Sequence, residues 1–145
     1  MFKRANVRRV VERWRDEGLT LLAPVEEREV IERLSGAGRL ISRDVVELYC
    51  TTGGMTGDGM SPALLNLWPL YRVVSESARH GGPILLFADF LIDSHFYGLR
   101  YENEYESSVH VEYFDGELHP KVAGSLDEFF YLYLNDPGKI GLITD

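Results

Sequence analysis

The spacing of apolar residues changes from a helical to a strand-like period near residue 83 of this 145-residue chain. Before that point, apolar side chains recur every three or four positions, which places them on one face of a helix. The predicted buried stripes are Val7, Val10, Val11 and Trp14, then Val30, Ile31 and Leu34, and then Val45, Val46, Leu48 and Tyr49. We expect the second helix to begin at Pro24 and the third to be capped by Ser42.

The second half of the chain carries strand patterns. Residues 84–88 are continuously apolar, as in a central strand, and residues 96–101 are rich in aromatic side chains. Residues 109–113 alternate between apolar and polar side chains, which predicts a strand with two unlike faces. The pair Asp115-Gly116 then predicts a tight hairpin turn leading into a further strand.

An edge strand and a closing helix complete the predicted elements. Residues 64–70 are apolar but broken by a proline, which is typical of an edge strand or of an extended segment. Ser125 and Glu128 have the spacing of a capping box at the start of a helix. The buried side of that helix is predicted to comprise Leu126, Phe129, Phe130 and Tyr133. This order predicts an α+β fold with N-terminal helices, a central mostly antiparallel sheet and a C-terminal helix packed on the sheet.

The charge of the chain is strongly negative and unevenly distributed. The formal net charge is −8, and residues 89–136 hold 11 acidic residues but only two basic ones. Such a chain is poorly suited to bind nucleic acid phosphates or an anionic membrane surface. The single cysteine, Cys50, cannot form an intramolecular disulfide, which favours a reducing compartment. Because charged residues interrupt the N-terminal segment where a signal peptide would be apolar, we expect a cytoplasmic protein.

A run of glutamates suggests where a partner could bind. In residues 101–106 every second residue is glutamate, so an extended chain would place all three carboxylates on one face. Neighbouring like charges destabilise a strand. They could form a solvated loop, a charged edge that blocks unwanted sheet pairing, or a negative surface for a cationic partner. If they bind a partner, the candidate contacts are Glu102, Glu104, Glu106, Asp93, Asp115, Tyr97 and Tyr105.

Residues that could perform chemistry are few and scattered. Asp89, Asp93 and His95 carry ligand types that zinc or manganese accept, but their spacing matches no established ligand motif. A polar loop at a sheet edge is the favoured interpretation. The glycines of residues 53–59 follow a helix rather than a strand, so they predict a helix end and a mobile loop instead of a phosphate site. The sequence therefore predicts neither a metal nor a cofactor.

Several short segments follow one another in a distinctive order between residues 24 and 135. They are Pro24-Val25-Glu26-Glu27 through Ile31-Glu32-Arg33-Leu34, Leu40-Ile41-Ser42-Arg43-Asp44-Val45-Val46-Glu47-Leu48-Tyr49, Thr51-Thr52-Gly53-Gly54, Leu85-Leu86-Phe87-Ala88-Asp89 with Phe96-Tyr97-Gly98-Leu99, and Gly124-Ser125-Leu126-Asp127-Glu128-Phe129-Phe130. In order and spacing they resemble the SUKH superfamily, whose best-known branch is the yeast Smi/Knr type of cell-wall regulator. The family usually has Leu-Pro where Leu40-Ile41 stands here.

The resemblance implies one SUKH-like domain over residues 1–145, with residues 1–23 as an N-terminal helical extension. It also implies a binding module rather than an enzyme. Many bacterial members look like immunity proteins that neutralise the toxin of a rival cell, often a nuclease. The expected partner is thus a basic toxin domain, with no direct contact to nucleic acid or membrane. Two alternatives remain: a regulatory or scaffold module that binds a host protein, and a metal-dependent enzyme.

Overall fold

The computed structural model describes residues 5–56, 65–80, 84–90, 95–112 and 120–141. Its helices are α1 (Ala5–Asp16), α2 (Glu27–Gly36), α3 (Arg43–Thr51), α4 (Leu70–His80) and α5 (Leu126–Asn135), and its strands are β1 (Leu65–Leu67), β2 (Ile84–Phe90), β3 (His95–Tyr101), β4 (Ser107–Glu112) and β5 (Lys121–Ala123). A short 3₁₀ helix, Pro137–Ile140, follows α5. Among these helices, none combines the length and the apolarity needed to cross a bilayer. The elements confirm the predicted α+β class.

The described strands form one antiparallel sheet in the order β1-β2-β3-β4-β5, so each strand pairs with the next along the chain. β2 is buried along its whole length, as the continuous apolar pattern of residues 84–88 predicts. The short β1 lies at one edge, which confirms the edge strand predicted in residues 64–70. The predicted turn at Asp115-Gly116 lies outside the described residues, between the paired strands β4 and β5.

α5 packs on one face of the sheet, and α1 packs on α5. The Phe129 ring lies against Phe87 and Tyr97 of the sheet, with ring centroids 5.8 and 5.0 Å apart. The indole nitrogen of Trp14 in α1 donates to the Tyr133 hydroxyl of α5 at 2.9 Å. This arrangement confirms the predicted packing of the C-terminal helix on the sheet. It also places α1, part of the predicted N-terminal extension, in the same hydrophobic core.

The start and the buried face of α2 differ from the prediction. α2 begins at Glu27 rather than at Pro24. The chain before it is extended, because the Val25 amide donates to the Tyr49 carbonyl of α3 at 2.8 Å. Ile31, predicted to be buried, is 39% exposed. Successive helical residues are rotated by about 100°, so Ile31 lies to one side of the fully buried Val30 and at the margin of the buried stripe.

β4 confirms the predicted strand over the described part of residues 109–113, and its two faces are unlike in chemistry, but both of them are buried. Ser108 and His110 are 0% and 7% exposed, while Val109 and Val111 are 0% and 2% exposed. Both faces of β4 are therefore covered. The buried polar side chains must be satisfied by hydrogen bonds instead of by water.

The glycines that follow α3 are tightly packed. Gly53 and Gly54 are buried, and the Gly53 amide donates to the Leu22 carbonyl at 3.0 Å. A β-carbon at Gly54 would lie 2.6 Å from the Trp68 carbonyl oxygen. The predicted mobile loop is therefore wrong for residues 53–56, whereas residues 57–59 lie outside the described part of the chain.

Candidate protein-binding surface

The glutamate-rich segment is a closed turn that joins β3 to β4, and we call residues 102–106 the acidic turn. The Asn103 side-chain oxygen accepts hydrogen bonds from the amides of Tyr105 at 2.8 Å and Glu106 at 3.0 Å. The amides of Glu102 and Asn103 both donate to the Glu106 carbonyl at 3.2 Å. This Asn-stabilised turn is compact. The prediction that the three glutamates share one face of an extended strand is therefore wrong.

The acidic turn is attached to the N-terminus of α3. The Arg43 amide donates to the Glu104 carbonyl at 2.7 Å, and the Asp44 amide donates to the Tyr105 carbonyl at 3.2 Å. Amides in the first turn of a helix have no acceptor within the helix, so the turn supplies the acceptors that they need. The backbone of Glu104 and Tyr105 is thereby held in place. No pattern in the sequence indicates this contact.

A buried carboxylate fixes the elements beneath the turn. Asp44 is 1% exposed, and one of its oxygens accepts from the Ser42 hydroxyl at 2.6 Å. Its other oxygen accepts from the amides of Ser107 at 3.2 Å and Leu126 at 3.3 Å. Asp44 therefore links α3 to the first residues of β4 and α5. Ser42 is at the N-cap of α3 as predicted, but its hydroxyl binds Asp44 and Ser107 instead of capping the helix.

Glu102 belongs to a short hydrogen-bonded chain. Its carboxylate accepts from the Ser108 hydroxyl at 2.6 Å, and Ser108 Oγ lies 2.8 Å from His110 Nε2. The hydrogen bond from Ser108 lowers the pKa of Glu102, with nearby Arg100 and Lys121 adding to the effect.

The hydrogen-bonded group of Glu102, Ser108 and His110 contains the residue types of a hydrolase triad, but here the serine lies between the carboxylate and the histidine. Because the only hydroxyl proton of Ser108 goes to Glu102, His110 Nε2 must donate its own proton to Ser108. A base that already carries a proton on the contacting nitrogen cannot activate a serine. Ser108 is also completely buried. These hydrogen bonds attach Glu102 of the acidic turn to β4, and they do not prepare Ser108 to attack a substrate.

The predicted contact residues differ in their exposure. Glu102, Glu104 and Tyr105 are exposed, with Tyr105 at 53%, whereas Glu106 is half-buried. Asp93 and Asp115 lie outside the described residues. Tyr97 is wrong as a surface contact because its side chain is fully buried. Its hydroxyl donates to the Ile140 carbonyl, and its ring packs on Phe129.

Asp89 and His95, two of the three candidate metal ligands, are not brought together. Asp89 pairs with Phe96 and His95 pairs with Phe90 across neighbouring strands, so Asp89 and His95 point to opposite faces of the sheet. Asp89 is 2% exposed and accepts from the Trp68 indole nitrogen at 2.7 Å. Among the described residues, no three His, Cys, Asp or Glu side chains converge in a way that could hold a metal ion.

Buried His95 makes the stability of the fold dependent on pH. Its ring stacks on Phe90 and meets Tyr97 edge to face, each with centroids 5.0 Å apart. Burial lowers the pKa of His95, so the folded chain favours the neutral ring. As the pH falls below about 6.5, the ordinary value of histidine, the unfolded chain takes up a proton that the folded chain resists. The free energy of unfolding therefore decreases as the pH is lowered through this range.

We expect the substitution His95→Phe to reduce this pH dependence, since phenylalanine keeps the ring packing without the proton. The measurement is urea unfolding of both proteins at about pH 7.5 and about pH 5.5, on either side of the ordinary histidine value. The parent chain should lose more free energy of unfolding between the two pH values than the variant. An equal loss in both proteins would assign the pH dependence to other groups.

Two neighbouring clefts adjoin the acidic turn. The larger one, which we call the Leu40 cleft, has a volume of about 330 Å³, and its lining includes Ile31, Ser35, Arg39, Leu40, Arg43, Val46 and Glu104. The smaller one, of about 240 Å³, shares Leu40 with it and reaches Leu85 and Leu99 in the sheet. Leu40 is 73% exposed. Exposed apolar side chains around a concave surface are typical of interaction sites.

No protein-family model matches the chain, and no curated protein is significantly similar to it, so these comparisons assign no family. The features that bear on function are therefore the acidic turn, the clefts beside it and the sequence resemblance to the SUKH superfamily.

Proposed function

We propose that this chain is a non-catalytic protein-binding module, a cytoplasmic immunity protein that neutralises a cognate toxin through its acidic turn. The partner is a basic toxin domain, such as a nuclease, whose cationic cleft the protein covers. The SUKH resemblance supports the class of function, and the charge of the chain supports the sign of the partner. The main support for the proposal is one observation. The backbone of Glu104 and Tyr105 is fixed by hydrogen bonds to α3, while both side chains are exposed to solvent.

A fixed turn is suited to binding because little conformational freedom is lost when a partner docks. Both residues have carbonyls bound to amides of α3 at 2.7 and 3.2 Å. Tyrosine buries a large area with few rotatable bonds and is enriched among the residues that dominate interfaces. Carboxylates around it would accelerate the encounter with a cationic surface. The arrangement of Glu102, Ser108 and His110 favours binding over chemistry at this surface, since it leaves no activated nucleophile.

Charge reversal at the turn tests this proposal. The double substitution Glu104→Lys and Glu106→Lys leaves Glu102 and its bond to Ser108 in place. Each reversal replaces an attraction to the cationic partner by a repulsion, so we expect binding to weaken by about tenfold or more. The measurement is the affinity for the purified product of an adjacent toxin gene, with the dissociation constant determined at two salt concentrations.

A matched control changes the net charge equally at another surface. Glu12→Lys and Glu17→Lys alter two exposed glutamates at α1 and just after it. This variant should retain the affinity of the parent chain within about twofold, since long-range charge effects are screened at physiological salt. If the two double variants bind the toxin equally well, the acidic turn is not the binding site. If the parent chain does not bind any adjacent toxin product, the proposed function is wrong.

A further inference from the structure

The smaller of the two clefts, which we call the Arg39 cleft, has an apolar floor. Leu85 and Leu99 are paired across β2 and β3, so their side chains lie on the same face of the sheet. Val45 of α3 lines the same cleft, and none of the three side chains is more than 6% exposed. Since an apolar protein cavity of about 150 Å³ can hold a benzene molecule, the volume of about 240 Å³ accommodates a ring with a short side chain.

Arg39 lines this cleft, and its guanidinium is held in place by α4. Its Nε donates to the Ser77 hydroxyl at 2.5 Å, and its Nη2 donates to the Ser77 carbonyl at 3.0 Å. A guanidinium carries five N–H groups, so it can bind Ser77 and a further acceptor at the same time. Because the two bonds fix the orientation of the guanidinium beforehand, less conformational freedom is lost when a ligand binds to it.

The charge of Arg39 is less well stabilised than that of its neighbour Arg43. Burial lowers the pKa of Arg39, because it penalises the charged form. In contrast, the hydrogen bond to Glu27 raises the pKa of Arg43. A carboxylate placed against Arg39 would act as Glu27 does on Arg43 and would offset the cost of burial.

One carboxylate, that of Asp44, lies behind the wall of the cleft at Ser107. Asp44 is 1% exposed, and its oxygens accept hydrogen bonds from the Ser42 hydroxyl and from the amides of Ser107 and Leu126. Its charge is therefore already solvated by the protein. None of the described residues that line the cleft is acidic.

Arg100 and Glu102 direct their charges to the other face of the sheet. Arg100 is listed by position along the cleft, but it pairs with Ser108 in the register of β3 and β4, so its side chain lies opposite to that of Leu99. On that face the Glu102 carboxylate binds the Ser108 hydroxyl and interacts electrostatically with Arg100. At physiological salt, charges more than about 8 Å away are largely screened. Arg39 therefore determines the sign of charge that the cleft favours.

We propose that the Arg39 cleft binds a small molecule that joins a carboxylate to a short apolar body. The carboxylate contacts the Arg39 guanidinium, and the apolar body lies on Leu85, Leu99 and Val45. This ligand site goes beyond the proposed function, since it lies beside the acidic turn and does not involve the side chains of Glu104 and Tyr105. An apolar surface with one fixed cation is complementary to such a ligand, because burial and ion pairing act on different parts of it.

Three probes separate the contribution of the carboxylate from that of the apolar body. The isotope-labelled full chain is titrated at about pH 7, where carboxylates are ionised, with phenylpropionate, with the uncharged phenylpropanamide and with acetate, and amide chemical shifts are followed by NMR. We expect the shifts caused by phenylpropionate to centre on Arg39, Leu85 and Leu99. One charge contact at a partly exposed site corresponds to about fivefold in affinity, so phenylpropionate should bind at least about fivefold more tightly than the amide. Acetate, which has no apolar body, should cause no saturable shifts.

Matched variants test the charge at the cleft. Arg39→Gln should remove the preference for phenylpropionate over its amide, whereas Arg13→Gln, an equal change of charge on an exposed residue of α1, should retain it. Leu40 lines the cleft and is 73% exposed, so its replacement is compatible with folding. Leu40→Asp adds a carboxylate at the mouth of the cleft. It should weaken phenylpropionate binding about fivefold relative to Leu40→Asn, which has the same size without the charge.

The two Leu40 variants decide the outcome if Arg39→Gln does not fold. The proposal is overturned if the amide or acetate binds as tightly as phenylpropionate, if the shifts centre elsewhere, or if no probe binds. It is also overturned if folded Arg39→Gln and Arg13→Gln behave alike, or if Leu40→Asp and Leu40→Asn bind phenylpropionate equally well. None of these measurements uses a toxin, so their result is independent of the proposed function.

Discussion

Replacing Gly54 by alanine is expected to lower the free energy of unfolding by about 3 kcal/mol or more, because two costs add at this position. Gly54 has φ of +109°, a conformation that residues with a β-carbon rarely adopt. The new β-carbon would also lie 2.6 Å from the Cα atom of Pro69 and from the Trp68 carbonyl oxygen. Both contacts are with backbone, so no side chain can rotate away. The segment after α3 would have to move away from the start of α4.

Gly36 provides the matched control, since it is a glycine in regular helix with no heavy atom within 4 Å of its would-be β-carbon. Gly36→Ala should leave stability unchanged or raise it by about 0.5–1 kcal/mol, because alanine is the better helix former. Urea unfolding followed by circular dichroism measures both variants. Equal stability of Gly54→Ala and Gly36→Ala would contradict the close packing described for residues 53–56.

Replacing Asp44 by alanine is expected to cost about 3 kcal/mol, because it leaves several buried donors without an acceptor. The amides of Ser107 and Leu126 and the hydroxyl of Ser42 all bind this carboxylate. Since the same helix end holds the acidic turn, the variant should also loosen residues 104 and 105. Hydrogen exchange at the Arg43 amide, which donates to the Glu104 carbonyl, should therefore be faster than in the parent chain.

Asp44→Asn distinguishes the charge from the hydrogen bonds. Asparagine keeps one acceptor oxygen but directs two donors at groups that already donate, so the loss should be smaller than for alanine yet clearly measurable. Asp16→Ala, at the exposed C-terminal end of α1, is the control and should change stability by less than about 0.5 kcal/mol. A loss of similar size in Asp16→Ala and Asp44→Ala would contradict a special role for the buried carboxylate.

Patterns within single elements allowed much of the fold to be predicted. The stripe of α1 and the aromatic side of α5 follow helical spacing, and the continuous apolar run of β2 marks a strand buried on both faces. The errors arose where distant backbone pairs decide the local structure. The bond from Val25 to Tyr49 keeps the chain extended past Pro24, and nothing in the neighbouring sequence indicates that bond.

Several residues of the candidate site were named from the sequence, but the shape of the acidic turn and its attachment to α3 were not predicted. The alternation of glutamates left both an extended strand and a solvated loop open. Asn103 has the local chemistry that closes a turn, and this signal was available in the sequence. The burial of Tyr97 could not be predicted from the sequence, because it depends on α5 and the 3₁₀ helix covering that face of β3. Asp89 and His95 are close along the chain, but the register of β2 and β3 separates them across the sheet.

The claim that the protein neutralises its partner by covering it, without chemistry, is tested most directly by stoichiometry. A fixed amount of the purified adjacent toxin product is titrated with this protein while toxin activity is recorded. If the protein acts by tight covering, toxin activity should fall linearly and vanish at one equivalent of this protein, and removal of the protein should restore the activity. Permanent inactivation by a small fraction of an equivalent, or full activity at excess protein, would contradict this account.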